Sequence, residues 1–162
     1  MRASADAPVA ASKSALDVRA SPAGHEAKTW VEGPVHPSEV IELWPVLARI
    51  IAQGIAEGAN YWTTDDVLLQ LLQGQLQLFM ACGPEPFMVA VVRLIQRPRL
   101  KVCFIEVLAG EKLGLAKAGI ANIETWARRQ GCSVIQAAGR RGWERVSGWN
   151  SSVMIWKELE NA

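Results

Sequence analysis

The length, composition and charge of the chain allow one folded domain and argue against two kinds of partner. Its 162 residues are half hydrophobic, which is enough to bury a core in a single domain. A formal net charge of +1 argues against a general nucleic-acid binder, whose domain would be strongly basic. No stretch reaches the roughly 18 apolar residues of a membrane span, and the N-terminus lacks the apolar run of a signal peptide. We expect a soluble protein that is not secreted.

The cysteines and histidines predict neither disulfides nor a metal site. Cys82, Cys103 and Cys132 are odd in number, widely spaced, and in or beside apolar segments, so we expect reduced, buried thiols. Such thiols favour a reducing, cytoplasmic place of synthesis. His25 and His36 are too isolated to form a metal set with them.

The N-terminal segment, residues 1–28, is dominated by Ala, Ser, Pro and isolated charges. It has too few large aliphatic side chains to form a core by itself. Two interpretations stay open: an extended arm that docks onto a partner protein, or a disordered leader. In either case the folded domain is expected to comprise residues 29–162.

A short strand and two helices open this domain. Thr29–Val31 is a strand pattern that ends at glycine and proline. A helical period begins at Pro37, and Pro45 inside it predicts a kink or marks the true first turn. Thr63 and Asp66 have the spacing of a capping pair, which predicts the start of a second helix.

Three strands in an antiparallel meander follow. Apolar residues alternate with glutamine and phenylalanine from residue 75 to 80, which predicts a strand with one better-buried face. Phe87–Ile95 is nearly all apolar, so we expect it to be covered on both faces. Arg97–Arg99 is the turn into a third strand, Leu100–Leu108, which stops in a turn at Ala109–Gly110.

A parallel strand, helix, strand unit completes the predicted sheet. From Leu113 apolar residues recur every three or four positions through Ile123, which predicts a core-facing helix that ends at Gly131. Ser133–Ala137 is then a short strand, and a right-handed crossover makes it parallel to the preceding strand. The remaining patterns are a short helix at residues 140–150 and a closing strand at residues 152–159.

The order of these elements and two motifs resemble a known family. Ligands of open α/β sheets bind beyond the carboxyl ends of the strands, here around residues 108–114. The element order, with Gly139–Trp143 and Gly148–Trp149, resembles the GNAT N-acetyltransferase superfamily over residues 30–159. The two motifs look most like the small GNAT-like proteins of tailed bacteriophages. The resemblance implies an α/β (α+β) fold with a mixed sheet, an antiparallel meander followed by a parallel β-α-β unit, and helices on both faces.

The resemblance also implies a place for the pyrophosphate of acetyl-CoA. The family holds it with a Gln/Arg-x-x-Gly-x-Gly/Ala turn, whose backbone N–H groups point at the phosphates from a helix N-terminus. The corresponding residues here are Leu108, Gly110, Lys112 and Gly114. The leading Gln or Arg is missing, and Glu111 adds a negative charge beside the anion. The alternative is a plain strand-to-helix turn in which Gly110 supplies a positive φ.

A catalytic base is implied by the same resemblance. In part of the family a glutamate on the strand before the turn accepts the proton of the attacking amine, and Glu106 has that position. Its apolar neighbours would exclude water and make the carboxylate a stronger base. Alternatively, it turns into solvent or pairs with an arginine. Many members use a tyrosine as the acid, but Glu144 stands in its place and Tyr61 is the only tyrosine. That absence argues against ordinary acetyl transfer.

Basic clusters and tryptophans have both functional and structural interpretations. The basic clusters are Arg97, Arg99 and Lys101, and Arg140, Arg141 and Arg145. Each either holds a phosphate or an acidic partner, or is a solvated face. Trp44 and Trp126 fit the core stripes of helices or their edges. The tryptophans less readily assigned, some of which would face a partner, are Trp62, Trp143, Trp149 and Trp156.

Two functions follow from these features. We favour a GNAT-fold protein without effective catalysis that is a structural or accessory component of a tailed-phage particle. Its partners would be proteins docked through the N-terminal arm and exposed tryptophans, or further copies of the chain in a homo-oligomer. The alternative is an acetyl-CoA-dependent N-acetyltransferase. No cofactor is expected in the first case, and acetyl-CoA is expected in the second. In both cases synthesis takes place in the host cytoplasm.

Overall fold

The computed structural model describes residues 29–58, 61–83, 86–110, 113–139, 145, 148–152 and 157. Its elements in chain order are β1 (Thr29–Trp30), α1 (Pro37–Glu57), α2 (Thr64–Leu72), β2 (Gln77–Cys82), β3 (Pro86–Gln96), β4 (Lys101–Gly110), a 3₁₀ turn (Leu113–Leu115), α3 (Ala116–Arg129) and β5 (Val134–Ala137). The predicted arm at residues 1–28, most of the helix at 140–150 and most of the closing strand at 152–159 lie outside the described residues.

The five strands form one mixed sheet in the order β1-β2-β3-β4-β5. β1 to β4 pair antiparallel, and β5 pairs parallel with β4 after the α3 crossover. Helices cover both faces: α1 and α2 bury residues such as Leu47 on one side, and α3 buries Ile123 on the other. The predicted fold class, an antiparallel meander followed by a parallel β-α-β unit with helices on both faces, is confirmed.

Side-chain caps explain where α1 and α2 begin. Thr63 and Asp66 form the predicted box: the Thr63 hydroxyl accepts from the Asp66 N–H, and the Asp66 carboxylate accepts from the Thr63 N–H and hydroxyl. These hydrogen bonds lower the pKa of Asp66, because they favour its charged form. α1 begins after a similar box of His36 and Glu39. Pro45 lies well inside α1, so its interpretation as the first helical turn is wrong.

α3 carries the predicted core stripe. Its buried residues are Ala116, Gly119, Ile120, Ile123 and Ala127. Gly131 follows the helix with φ 79°, a left-handed conformation that glycine adopts at little cost. The predicted phase and end of this helix are therefore confirmed. In the part of the chain that the structure describes, no helix combines the length and the apolar character needed to cross a membrane.

Two details of the sheet differ from the sequence prediction. Both faces of β2 are buried over residues 78–82, so the expected strand with one better-buried face is wrong. The reason is that helices cover both sides of the sheet, and Phe79 packs edge to face against Trp126 with ring centroids 5.2 Å apart. Ala109 and Gly110 continue β4 instead of forming a turn, because both pair with β3.

The three cysteines are free thiols, with Cys82 and Cys103 buried and Cys132 half-buried. Burial, and to a smaller extent the neighbouring Cys132 thiol, raises the pKa of the Cys103 thiol to about 12. Burial likewise raises the pKa of the Cys132 thiol, against the opposing charge of Lys101.

Candidate functional site

β4 and β5 separate halfway along β4. Their parallel pairing runs from Val102 opposite Val134 to Ile105 opposite Ala137, where β5 ends. β4 continues to Gly110. Among the described residues no strand pairs with the outward backbone N–H and C=O groups of residues 106–110 on this side. We call residues 106–110 the open edge of β4.

A β-bulge places Glu106 at the start of the open edge. β3 pairs Val91 with Val107 and Val92 with Ile105, so Glu106 is an extra residue in β4. As a result Ile105 packs in the core on the α3 side, whereas Val107 packs in the core on the α1 side, although they are two positions apart. Glu106 faces the α1 side, where its carboxylate reaches the connection between α1 and α2.

The Glu106 carboxylate lies between an arginine and a tryptophan. Its Oε1 forms an ion pair with Arg93 of β3, and its Oε2 accepts a long hydrogen bond of 3.4 Å from Trp62 Nε1. The Arg93 guanidinium also lies 5.5 Å from the centre of the Trp62 ring, a cation–π contact. The alternative in which Glu106 pairs with an arginine is therefore observed, and its catalytic role stays a prediction.

Sequence reasoning missed the part that Arg93 and Trp62 play here. Arg93 is the only charged residue in the apolar run Phe87–Ile95, and that interruption is the signal that could have identified it. Trp62 is half-buried against the core beneath α1 and α2. Its contact with Glu106 joins residues 44 positions apart, so no local pattern reports it.

The predicted phosphate turn is available to a ligand only in part. Gly110 has φ 142°, and a Cβ there would meet the backbone of β3 at Phe87, so packing in the sheet already accounts for this glycine. Gly114, in the exposed 3₁₀ turn, has open space where a Cβ would lie. The side chain of Leu108 packs half-buried against the core on the α3 side. Lys112 lies outside the described residues.

The N-terminus of α3 is fixed from the side by β1. Leu115, the N-cap residue, makes no side-chain hydrogen bond to the helix. Instead Trp30 Nε1 donates a 2.8 Å hydrogen bond to the Leu115 carbonyl oxygen. The Trp30 ring occupies the space that a Cβ on Gly119 would need. The first turn of α3 is therefore anchored, and its backbone N–H groups have no side-chain acceptor at the N-cap.

The first basic cluster lies away from this site. Arg97 and Arg99 line an open hollow of about 440 Å³ with Gln136, at the end of β4 opposite the open edge. The Lys101 ammonium donates to the Gln130 carbonyl oxygen at 2.9 Å. The structure does not bring this cluster together with Glu106.

Several other predicted residues are outside the described ranges or outside the site. Arg140, Arg141, Trp143, Glu144 and Trp156 are outside the described residues. Trp149 is half-buried against the core on the α3 side, and Tyr61 is 85% exposed. Within the described ranges, no three His, Cys, Asp or Glu side chains are grouped to hold a metal ion.

This architecture is similar to that of solved acetyltransferases. A GNAT family acetyltransferase from Staphylococcus aureus subsp. aureus is 13% identical, with a TM-score of 0.55 over 75% of this chain and 93% of that chain. A ribosomal-protein-alanine N-acetyltransferase from Brucella melitensis biovar Abortus is 14% identical, with a TM-score of 0.57 over 83% of this chain and 99% of that chain. A predicted acetyltransferase from Clostridium acetobutylicum, solved with acetyl-CoA, is 17% identical, with a TM-score of 0.56 over 76% and 91%. The fold is that of the GNAT acetyltransferases.

The likeness to GNAT structures is one of fold. No protein-family model matches the sequence, and no curated protein matches it. Identities of 13% to 17% show a common GNAT fold and carry no residue roles with them. The narrower resemblance to GNAT-like proteins of tailed phages stays a prediction.

Proposed function

We propose that this GNAT-fold protein is an acetyl-CoA-dependent N-acetyltransferase whose donor lies along the open edge of β4. The observation that carries the proposal is the separation of β4 from β5, which begins at the bulged Glu106. An extended chain with amide groups, such as the pantetheine arm of coenzyme A, can take the place of a strand beside these backbone groups, with which no described strand pairs. The structural relative from Clostridium acetobutylicum was solved with acetyl-CoA, which agrees with this ligand.

The residues beyond the open edge suit the phosphates of the donor in part. Gly114 has open space where a Cβ would lie, and the N-cap of α3 offers no side-chain acceptor to the first turn. In the sequence, Lys112 adds a positive charge and Glu111 a negative one between β4 and the 3₁₀ turn. Phosphate groups there would therefore bind mainly to the backbone N–H groups at the N-terminus of α3.

Glu106 has the position of a base in the proposed reaction, because it stands where β4 and β5 part. Its carboxylate takes a proton from the acceptor ammonium. The amine nitrogen forms a C–N bond with the acetyl carbonyl carbon as the C–S bond breaks, coenzyme A leaves as its thiolate, and the second amine proton passes to solvent. Tyr61 is exposed, so we assign no tyrosine as the acid.

Calorimetric titration with acetyl-CoA tests the donor site. We expect micromolar binding that Gly114→Asp abolishes, because this variant places a side chain and a negative charge in the turn. Ala121→Asp adds the same charge to the exposed side of α3 and should bind acetyl-CoA normally. If millimolar acetyl-CoA produces no heat of binding, the acetyltransferase function is excluded.

A second candidate is a GNAT-fold protein without effective catalysis, acting through protein contacts as a structural or accessory component of a tailed-phage particle. The observation that favours it is the ion pair, because Arg93 already occupies the carboxylate that catalysis needs. The apolar side chains of Ile41, Leu69 and Leu72 are also exposed on α1 and α2, and offer a surface for contact. In this candidate the segment 1–28 docks onto the partner.

Deletion of residues 1–27 tests the second candidate. The segment has few aliphatic side chains to offset an ordering cost of about 1 to 2 kcal/mol per residue, so a partner must supply the contacts. Unchanged thermal melting with lost co-purification of partner proteins or particles would support the structural role. Association that survives the deletion would show that residues 1–27 are not what docks onto the partner. The acetyltransferase should bind acetyl-CoA equally well with and without the segment.

A further inference from the structure

Arg93 uses only part of its hydrogen-bonding capacity. A guanidinium carries five N–H donors in a planar fork that matches a carboxylate. One terminal nitrogen of Arg93 binds Glu106. The Nε atom is buried and has no hydrogen-bond partner among the residues that the structure describes. An unpaired buried donor is unfavourable, so the guanidinium has donor capacity that its contact with Glu106 leaves unused.

The same guanidinium can be reached from outside. The Arg93 side chain is 39% exposed, whereas the Glu106 side chain is 9% exposed. The Trp62 ring lies on one side of the guanidinium, and the half-buried Phe104 is the register partner of Arg93 on β4. A molecule that enters the site therefore meets a cation beside two aromatic residues, with a carboxylate deeper in.

The second oxygen of Glu106 is weakly held. Trp62 Nε1 lies 3.4 Å from Oε2, longer than the usual N–H···O distance of about 2.9 Å. An ammonium group is a stronger donor than an indole N–H and can take this oxygen. Since Glu106 stands at the start of the open edge, an amine held there would be next to the acetyl group of a donor bound along that edge.

We propose that the acceptor is an α-amino acid with an apolar side chain, its carboxylate bound by Arg93 and its ammonium by Glu106. This inference rests on the proposed acetyltransferase function and adds its substrate class. The ligand presents the opposite charges to the pair, so each protein charge gains a partner when the zwitterion binds. Trp62 and Phe104 contact its side chain. An amine without the carboxylate leaves the donors of Arg93 unpaired and is discriminated against.

Matched acceptors test this proposal. L-leucine and L-phenylalanine are compared with L-leucinamide and L-phenylalaninamide, which keep the side chain and the amine but lose the negative charge. Acetylation is followed through release of the coenzyme A thiol. The wild-type protein should prefer the free acids by at least about tenfold in kcat/KM. Arg93→Gln should reduce this ratio to about one.

Arg97→Gln is the matched control, since it removes an exposed arginine at the hairpin far from Glu106 and should keep the preference. Equal kcat/KM for acids and amides in the wild-type protein would overturn the amino-acid proposal and leave the acetyltransferase standing. If no acceptor is acetylated, calorimetric titration of L-leucine and L-phenylalanine into the protein alone decides whether the amino-acid site exists. The zwitterion site is supported if L-leucine or L-phenylalanine binds, its amide does not, and Arg93→Gln abolishes the binding. The proposal is overturned if neither amino acid binds at millimolar concentration.

Discussion

The two halves of β4 are alike in composition and differ in their neighbours. Residues 101–105 have β3 on one side and β5 on the other. Residues 106–110, the open edge, have β3 on one side and no described strand on the other. Both halves consist mainly of apolar residues, so residue type does not set them apart. The difference arises because β5 ends at Ala137 and because Glu106 adds a bulge to β4.

Different contacts hold the two halves in place. The first half is fixed by the β5 ladder and by α3, whose Ile123 lies in the same core cluster as Ile105. The second half packs on α1 through Val107 and Ala109. At Gly54 the helix comes so close that a Cβ would lie 2.6 Å from Val107 Cγ1 and 2.7 Å from Ala109 Cβ. The open edge is therefore held firmly on the α1 side while no described strand pairs with its outer side, as a preorganised binding site requires.

The largest expected effect is at the boundary between the halves. Glu106→Gln preserves the size of the side chain but removes the base, so the rate of acetyl transfer should fall about 10² to 10⁴-fold. Acetyl-CoA binding should be retained, because the donor is held by the backbone of the open edge. Glu124→Gln, which removes a carboxylate paired with Arg128 on the surface of α3, is the control. A Glu106→Gln variant with wild-type turnover would show that no base acts at this boundary.

The next effect tests the packing of the first half. Ile123 is fully buried against it, so Ile123→Ala should lower the free energy of unfolding by about 2 to 4 kcal/mol through the cavity left behind. Urea denaturation measures the loss. Thr125→Ala, on the exposed side of the same helix, should change stability by no more than about 0.5 kcal/mol. An equally small loss for Ile123→Ala would mean that α3 does not pack on β4 as described.

A smaller effect is expected from crowding the second half. Gly54→Ala forces a methyl group against Val107 and Ala109. The overpacking costs about 1 to 3 kcal/mol and is offset by about 1 kcal/mol of helix propensity, so a net loss of about 1 kcal/mol is expected. Acetyl-CoA affinity should fall as well, since the open edge must move. Ala52→Gly, at an exposed position of α1, measures the propensity difference separately. A stabilised variant with unchanged affinity would refute the bracing role of α1.

How much of this could be predicted from the sequence depends on how local each signal is. The capping pair of Thr63 and Asp66 spans one helical turn, and the stripe through Ile123 spans one helix, so both were predictable. The bulge at Glu106 was not, because it is a mismatch in register between two strands and no residue type marks it. The ion pair with Arg93 joins two neighbouring strands at residues 13 positions apart, so it depends on how those strands pair.

The burial of the first half should also make the stability of the protein depend on pH. This is the smallest of the expected effects at neutral pH. Cys103 lies in this half, and burial raises the pKa of its thiol from 9.0 to about 12. The unfolded chain therefore loses the thiol proton at a lower pH than the folded protein does. The contribution of Cys103 to stability is complete below about pH 9 and declines as the pH rises towards 12.

Cys103→Ala isolates this contribution, because every other titrating group is common to both proteins. At pH 7 the variant should be the less stable of the two, since it leaves a small cavity beside α3. The difference in the free energy of unfolding between wild type and variant should narrow between pH 9 and pH 11, because only the wild type loses the contribution of the Cys103 thiol. Urea denaturation at pH 7, 9, 10 and 11 measures it. A gap that stays constant across this range would show that the thiol titrates alike in both states, and hence that water reaches the first half of β4 as readily as the open edge.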